Sequence, residues 1–140
     1  MNKKIFVLTA FLLVFAVLFN GIAYAGSSAF DVSVDRVIVN GKVMAESRTN
    51  IIADADVFSV IVEFTTLETL EKAHVETILR GRQSGNVVAD ATNLFDLVKN
   101  QSTSKALTLV LIDSLKRETD FDLTVKVKDA EGRSEQKTFG

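Results

Sequence analysis

The chain of 140 residues contains no cysteine, proline or tryptophan, and only one histidine. Without cysteine it forms no disulfide, carries out no thiol chemistry and lacks the lipidated cysteine of a bacterial lipoprotein. One histidine cannot supply a zinc site of the usual composition. His74 is also the only possible base for a serine triad, and no G-x-S-x-G motif accompanies it. We therefore expect no enzyme and no cofactor.

The first 25 residues have the pattern of a secretory signal peptide. Lys3 and Lys4 precede the apolar run Ile5–Phe19, and Ala23-Tyr24-Ala25 supplies the small residues that a signal peptidase requires. We expect cleavage after Ala25 and a secreted protein, at the cell surface or in the extracellular space. The alternative is an uncleaved membrane anchor, for which the run is short compared with the ~20 residues of a span.

Residues 26–140 are then one domain of 115 residues, the 140 of the chain less the 25 of the signal. Lys3 and Lys4 leave with the signal, so 14 basic residues face 18 acidic ones, a net charge of −4. An acidic domain is poorly suited to bind nucleic acid. No second apolar segment of spanning length is present, and we expect no membrane attachment after cleavage.

Period-two alternation of apolar and polar residues is clearest near the C-terminus, over Asp120–Arg133. Phe121, Leu123, Val125 and Val127 alternate with polar residues, which predicts a half-buried strand. Asp129–Gly132 is a predicted turn, and a polar strand, Ser134–Phe139, follows it.

Two further strands are predicted in the N-terminal part, Phe30–Val39 and Asp56–Thr66. The first changes parity at Asp35-Arg36, where a bulge is expected. Between the strands we expect a hairpin turn at Asn40-Gly41, a short return at Val43-Met44 and a loop over Ala45–Ala55. In the second strand Phe58, Val60, Val62 and Phe64 share one face. Ile61 lies on the other face, which predicts that a loop or a partner covers it.

Leu67–Arg82 has two interpretations. The spacing of Leu67, Leu70, His74 and Ile78 suits a helix with a capping box at Thr65 and Glu68. Alternatively, Leu67–Ala73 is a connection and His74–Arg82 is a strand. Propensity favours the helix, but the all-β pattern on both sides favours the strand.

The next segments are predicted as a turn at Gln83–Asn86, short strands at Val87–Thr92 and Leu94–Val98, and a polar loop at Lys99–Lys105. A strand at Ala106–Ile112 and a charged connection at Asp113–Thr119 follow. Ala106–Ile112 is apolar on both faces, which predicts a central or covered position. About seven strands with regularly spaced turns indicate an all-β fold, an antiparallel immunoglobulin-like β-sandwich.

The run from Val57 to Gly132 resembles the immunoglobulin-like or fibronectin-III-like domains of archaeal secreted and surface-layer-type proteins. The matching segments are VEFTTLE at 62–68, VETILRGR at 75–82, TNLFDL at 92–97, LTLVLID at 107–113 and FDLTVKVKDAEGR at 121–133. The resemblance implies a strand over His74–Arg82, a surface location and a scaffold role, and it carries no catalytic residue. Such sandwiches often have a corner tyrosine where Phe121 stands, and Phe121 cannot make its hydrogen bond.

Candidate sites are few. Calcium prefers oxygen ligands, and Asp54, Asp56, Asp120, Asp122, Asp129 and Glu131 are weak candidates without EF-hand spacing. Asn100-Gln101-Ser102 is a glycosylation acceptor pattern, with Asn100 as the site. Arg80 and Arg82 are expected to form a solvated charged ladder with Glu76.

A glycan-binding or glycan-cleaving surface is weakly supported, because tryptophan is absent and Tyr24 leaves with the signal. Self-association through the edge of Ser134–Phe139 is opposed by Glu135 and Lys137. We therefore expect a non-catalytic structural or interaction module whose partners are proteins or other surface components. The alternatives are a calcium- or glycan-binding module and a self-assembling surface or filament subunit.

Overall fold

The computed structural model of the protein describes residues 29–45, 51 and 56–140. The predicted signal peptide, its cleavage site, and nearly all of the predicted loop Ala45–Ala55 lie outside these residues. Within them, no helix has the length and apolar character needed to cross a membrane.

The described chain folds almost entirely into antiparallel strands, with one short 3-10 helix at Leu115–Arg117. The strands are β1 (Val32–Val39), β2 (Lys42–Val43), β3 (Val57–Thr66), β4 (Leu70–Gly81), β5 (Val87–Ala91), β6 (Phe95–Leu97), β7 (Gln101–Val110), β8 (Phe121–Lys128) and β9 (Ser134–Phe139). A four-stranded sheet has the order β2-β1-β3-β7. A five-stranded sheet has the order β5-β4-β8-β9, with β6 also pairing with β4.

The prediction of an all-β antiparallel sandwich is confirmed. The described residues form nine strands where about seven were expected, because β2 and β6 are short additions to the two sheets. In immunoglobulin-like sandwiches strands A, B and E share one sheet, and C, F and G share the other. The orders β1-β3-β7 and β4-β8-β9 agree with that arrangement, and β5 adds one strand beside β4.

The inner faces of the two sheets form one hydrophobic core. Phe58 of β3 packs against Phe121 of β8 with ring centroids 6.0 Å apart. Phe64 of β3 lies 6.3 Å from Phe95 of β6. Phe121 is buried among these apolar side chains, so the absence of a hydroxyl leaves no polar group to be satisfied there.

The two features predicted for β1 are present. The pairing of β1 with β3 shifts register between Val34 and Arg36, so Val37 and Val39 are buried although their parity differs from that of Val32 and Val34. Asn40 and Gly41 form the turn into β2 with φ of 49° and 80°.

The helical alternative for Leu67–Arg82 is not formed. The strand predicted over His74–Arg82 is confirmed for all of these residues except Arg82. The connection predicted over Leu67–Ala73 is wrong at its end, because β4 already begins at Leu70. β4 pairs with β8 along one side and with β5 and β6 along the other. These backbone hydrogen bonds outweigh local helix propensity.

The polar loop predicted over Lys99–Lys105 is also wrong beyond Asn100. β7 begins at Gln101, and residues 101–105 pair with residues 62–66 of β3, so backbone pairing determines the strand despite its polar side chains. β7 ends at Val110 and is an edge strand of its sheet. The central or covered position predicted for Ala106–Ile112 is therefore not found within one chain.

Gly81 ends β4 at a point where no side chain fits. A Cβ atom there would lie 2.7 Å from Glu118 Cδ and 2.8 Å from Leu115 Cδ2, and both of those residues are buried. Gly81→Ala should therefore lower the free energy of unfolding by about 1–3 kcal/mol, as overpacking of a core does. Thermal or urea denaturation measures this loss.

The double variant Gly81→Ala/Glu118→Ala is the control, because it removes one of the two side chains that the new Cβ would meet and leaves Leu115 in place. Its loss of stability should be smaller than the sum of the two single losses. Unchanged stability of Gly81→Ala would show that this contact is not restrictive.

Candidate functional site

The outer face of the five-stranded sheet is polar and carries paired charges. Glu76 Oε2 lies 2.6 Å from Lys128 Nζ, and the hydrogen bond from Lys128 lowers the pKa of Glu76. Asp122 Oδ1 lies 2.6 Å from Arg82 Nη2. These pairs make a hydrated surface, as expected for the exposed side of a sheet. In the predicted charged ladder, Arg82 and Glu76 thus pair with residues of β8 rather than with each other.

The outer face of the four-stranded sheet differs, because an apolar row crosses all four strands. Val43 of β2 pairs with Ile38 of β1, Ile38 pairs with Ile61 of β3, and Ile61 pairs with Ala106 of β7. Val43 is 53% exposed, Ala106 is exposed, and Ile38 and Ile61 are half-buried. The outward position predicted for Ile61 is thus confirmed, and three strands place further apolar residues beside it.

A second apolar pair lies on the same face near the end of β7. Val57 of β3 pairs with Val110, and these residues are 44% and 62% exposed. On the outer face, Ser59 and Thr108 form the one cross-strand pair between Val57–Val110 and Ile61–Ala106. We define the apolar surface as the residues of the row and this pair: Val43, Ile38, Ile61, Ala106, Val57 and Val110.

Polar contacts border the apolar surface on the side of the β1 bulge. Arg36 Nε and Nη2 donate to the two carboxylate oxygens of Glu63 at 2.7 and 2.8 Å. The hydrogen bond from Arg36 lowers the pKa of Glu63. Thr65 donates to Asp35 Oδ2 at 2.7 Å, and its oxygen lies 2.9 Å from Ser102 Oγ. An apolar centre with a hydrogen-bonded polar border is the usual anatomy of a protein interface.

The calcium candidates do not come together. Asp120 and Asp122 lie at the start of β8, and Asp129 and Glu131 lie beyond its end, so an eight-residue strand of roughly 25 Å separates the two pairs. Asp56 is exposed and paired with Lys116, and Asp54 lies outside the described residues. No group of three His, Cys, Asp or Glu side chains suited to a metal is found in residues 29–45, 51 and 56–140.

The remaining candidates are also dispersed. His74 lies on the outer face of the five-stranded sheet, paired in register with Lys128. Asn100 is exposed in a left-handed turn with φ of 62°, just before β7, where a glycan could be attached. Glu135 and Lys137 lie opposite Val127 and Val125, so these charges are on the inner side of the β9 edge.

Sequence reasoning found one member of the apolar surface, Ile61, and noted the apolar outward residues near Val110. It did not find Ile38 and Val43 as their neighbours. The available signal was the bulge at Asp35-Arg36, since counting parity after it places Ile38 on the outward face.

No protein-family model matches this chain, and no curated protein matches it. The solved structures that are similar to it include the following three. A structural genomics target, SoR45, has a TM-score of 0.43 at 10% identity, covering 79% of this chain and 83% of that one. The E. coli curli protein CsgC has a TM-score of 0.38 at 13% identity, with coverage of 77% and 95%. The ligand-binding region of serine-glutamate repeat protein A of Enterococcus faecium has a TM-score of 0.35 at 12% identity, with coverage of 69% and 85%.

Asp129 is buried and has a structural task in the turn between β8 and β9. It accepts hydrogen bonds from the N–H groups of Glu131 (3.0 Å) and Arg133 (2.9 Å), and from Arg133 Nε at 2.6 Å. Burial alone would raise the pKa of Asp129, but the hydrogen bonds and charge of Arg133 outweigh it, and the pKa lies below its ordinary value. Arg133 in turn pairs with Glu68 at 3.3 Å.

These contacts predict a loss of stability in acid. Because the folded-state pKa of Asp129 is lowered, the unfolded chain binds more protons between the lowered value and the ordinary value of about 4. The free energy of unfolding should therefore fall as the pH drops below about 4. Glu118 contributes in the same direction, because hydrogen bonds from Ser84 lower its pKa.

Asp129→Asn should lower the melting temperature at neutral pH and make it depend less on pH below about 4. Melting curves across the acid range measure both effects. Glu131→Gln is the matched control, because Glu131 is exposed in the same turn and should change neither. An unchanged pH profile for Asp129→Asn would contradict the assignment.

Proposed function

We propose that the chain is an exported, non-catalytic structural or interaction module that contacts other proteins at the cell surface or in the extracellular space. The apolar surface carries this proposal. A sheet face exposed to water is normally polar, as the outer face of the five-stranded sheet is. The four-stranded sheet instead carries aliphatic side chains from all four of its strands on this face, exposed at Val43, Val57 and Val110 and half-buried at Ile38 and Ile61. Contiguous exposed apolar surface with a polar border marks an interaction site.

Export is supported by the N-terminal sequence. The basic residues, apolar run and Ala23-Tyr24-Ala25 pattern are those of a cleavable secretory signal. The strand order of the sandwich agrees with the immunoglobulin-like arrangement, which supports the resemblance to archaeal secreted and surface-layer-type domains. A scaffold role follows from that resemblance.

The geometry favours protein contact over the calcium and glycan alternatives. Asp122 and Asp129 accept short hydrogen bonds from Arg82 and Arg133, so both carboxylates are already engaged. The large exposed hydrophobic residues of the described chain are all aliphatic: Val43, Val57, Leu67, Val87, Leu94, Val98, Val110 and Ile112. Aliphatic surface suits a protein partner, whereas sugar rings usually stack on aromatic side chains.

Export is tested by producing the full chain in a secreting host and measuring the intact mass of the exported protein. We expect a product that begins at Gly26, because cleavage follows Ala25. Replacing Ala25 by Arg should leave the precursor uncleaved, since the peptidase requires a small residue there. A chain that keeps Met1 and stays in the cytoplasm would contradict export.

The interaction face is tested by site-directed photo-crosslinking in cells that export the protein. A photoreactive residue replaces Val43 or Val110 on the apolar surface, or Thr138 on the outer face of the five-stranded sheet as the control. Exposed sites on both faces are compared under the same conditions. We expect protein adducts at Val43 and Val110 and few at Thr138. Equal yields at the three sites, or no adducts, would contradict the proposed surface.

A further inference from the structure

One edge of the four-stranded sheet is straight and continuous. β7 pairs with β3 residue by residue from Gln101–Thr66 to Val110–Val57, without a bulge. Bulges are one of the means by which proteins protect the edges of sheets. The edge formed by β7 lacks that protection.

Two hydrogen bonds show which way the backbone of β7 points. Leu111 donates its N–H to Asp56 O at 2.9 Å, toward β3. Thr108 donates its N–H to Asp90 Oδ2 of β5 at 2.9 Å, away from β3. Because successive residues of an antiparallel strand point to opposite sides, Ser102, Ser104 and Ala106 also direct N–H and C=O away from β3. In the part of the chain that the structure describes, these groups have no hydrogen-bond partner.

The side chains along this edge carry no charge on the outer face. They are Ser102, Ser104, Ala106, Thr108 and Val110, all exposed. Lys105 lies on the inner side, and its Nζ is 3.9 Å from the centroid of the Phe95 ring, so its charge is held against its own domain. The β9 edge carries two charged residues on its inner side, Glu135 and Lys137, where β7 carries one.

We infer that a second copy of this chain pairs with β7 through the edge Ser102–Ala106, so that two four-stranded sheets join into one. The inference rests on the proposed function, since it names the partner of the same sheet. Sequence reasoning placed possible self-association at β9. The structure makes β7 the open edge.

The edge is complementary to itself in one register. With Ser104 opposite Ser104 of the second copy, Ser102 faces Ala106, and Lys105 faces Thr103. No like charges oppose each other, and serine hydroxyls meet at the two-fold axis. The N–H groups of Ser102, Ser104 and Ala106 from each copy would all find acceptors. Pairing ends before Thr108, so the bond between Thr108 and Asp90 is kept.

This arrangement also places the two apolar surfaces on the same side of the joined sheet. A two-fold axis perpendicular to the joined sheet keeps the outer face of both copies on the same side. Each apolar row ends at Ala106 on β7. Because Ala106 faces Ser102 of the second copy, the two rows reach the junction four residues apart along the strands.

The test is analytical ultracentrifugation of the exported protein from about 1 µM to 1 mM, a range suited to a small interface. We expect a reversible dimer. Ser104→Lys places like charges opposite each other and should raise the dissociation constant about fivefold or more. Ser104→Pro, which is tolerated at an outward-facing edge position, should abolish the dimer. Thr138→Lys adds the same charge at the β9 edge and should change nothing.

Amide hydrogen exchange of the unaltered protein provides a measurement that needs no variant. Exchange at Ser102, Ser104 and Ala106 should slow as concentration rises, whereas Thr103 and Lys105, which point toward β3, should not respond. A monomer at every concentration, or a dimer insensitive to both Ser104 variants, would overturn the inference. In that case, crosslinks from Val43 to a different protein would still support the proposed function. Equal crosslinking yields on the two faces would instead contradict the proposed function.

Discussion

Two aromatic contacts between the sheets determine which side chains of β3 face the core and which face outward. Phe58 meets Phe121, and Phe64 meets Phe95, so β3 must direct Phe58 and Phe64 inward. Since side chains alternate along a strand, Val57 and Ile61 are then forced outward. A slip of one residue would bury Ile61 but expose both rings. The apolar surface is thus a direct consequence of the register that the core requires.

Strands whose own residues alternate between apolar and polar could be predicted from local sequence. The alternation of Phe121, Leu123, Val125 and Val127 places β8 correctly, and Asn40-Gly41 predicts its turn from backbone preference alone. The start of β7 could not be predicted in this way. Gln101–Lys105 is polar, and it becomes a strand only because the backbone of β3 provides acceptors and donors for its hydrogen bonds.

The same limit applies to the candidate site. The outward parity of Ile61 is readable from its own strand, but its contact with Ile38 depends on a register between strands. The calcium candidates failed to converge for the opposite reason. Asp122 and Asp129 are close in sequence, yet an extended strand carries them far apart, and each has an arginine as its partner. Proximity along a chain is a poor guide to proximity in space when the intervening segment is a strand.

The shortness of β2 has a consequence for assembly. This strand contains two residues and forms the other edge of the four-stranded sheet. A sheet grows without limit only if both of its edges can accept a neighbour. The two residues of β2 provide too few backbone groups for that, and the rest of this edge is β1, whose bulge between Val34 and Arg36 disrupts regular pairing. Joining at β7 would therefore occupy the open edge of each copy and leave only short or bulged edges outside. The geometry is that of a closed pair, which stops at two, rather than of a fibre.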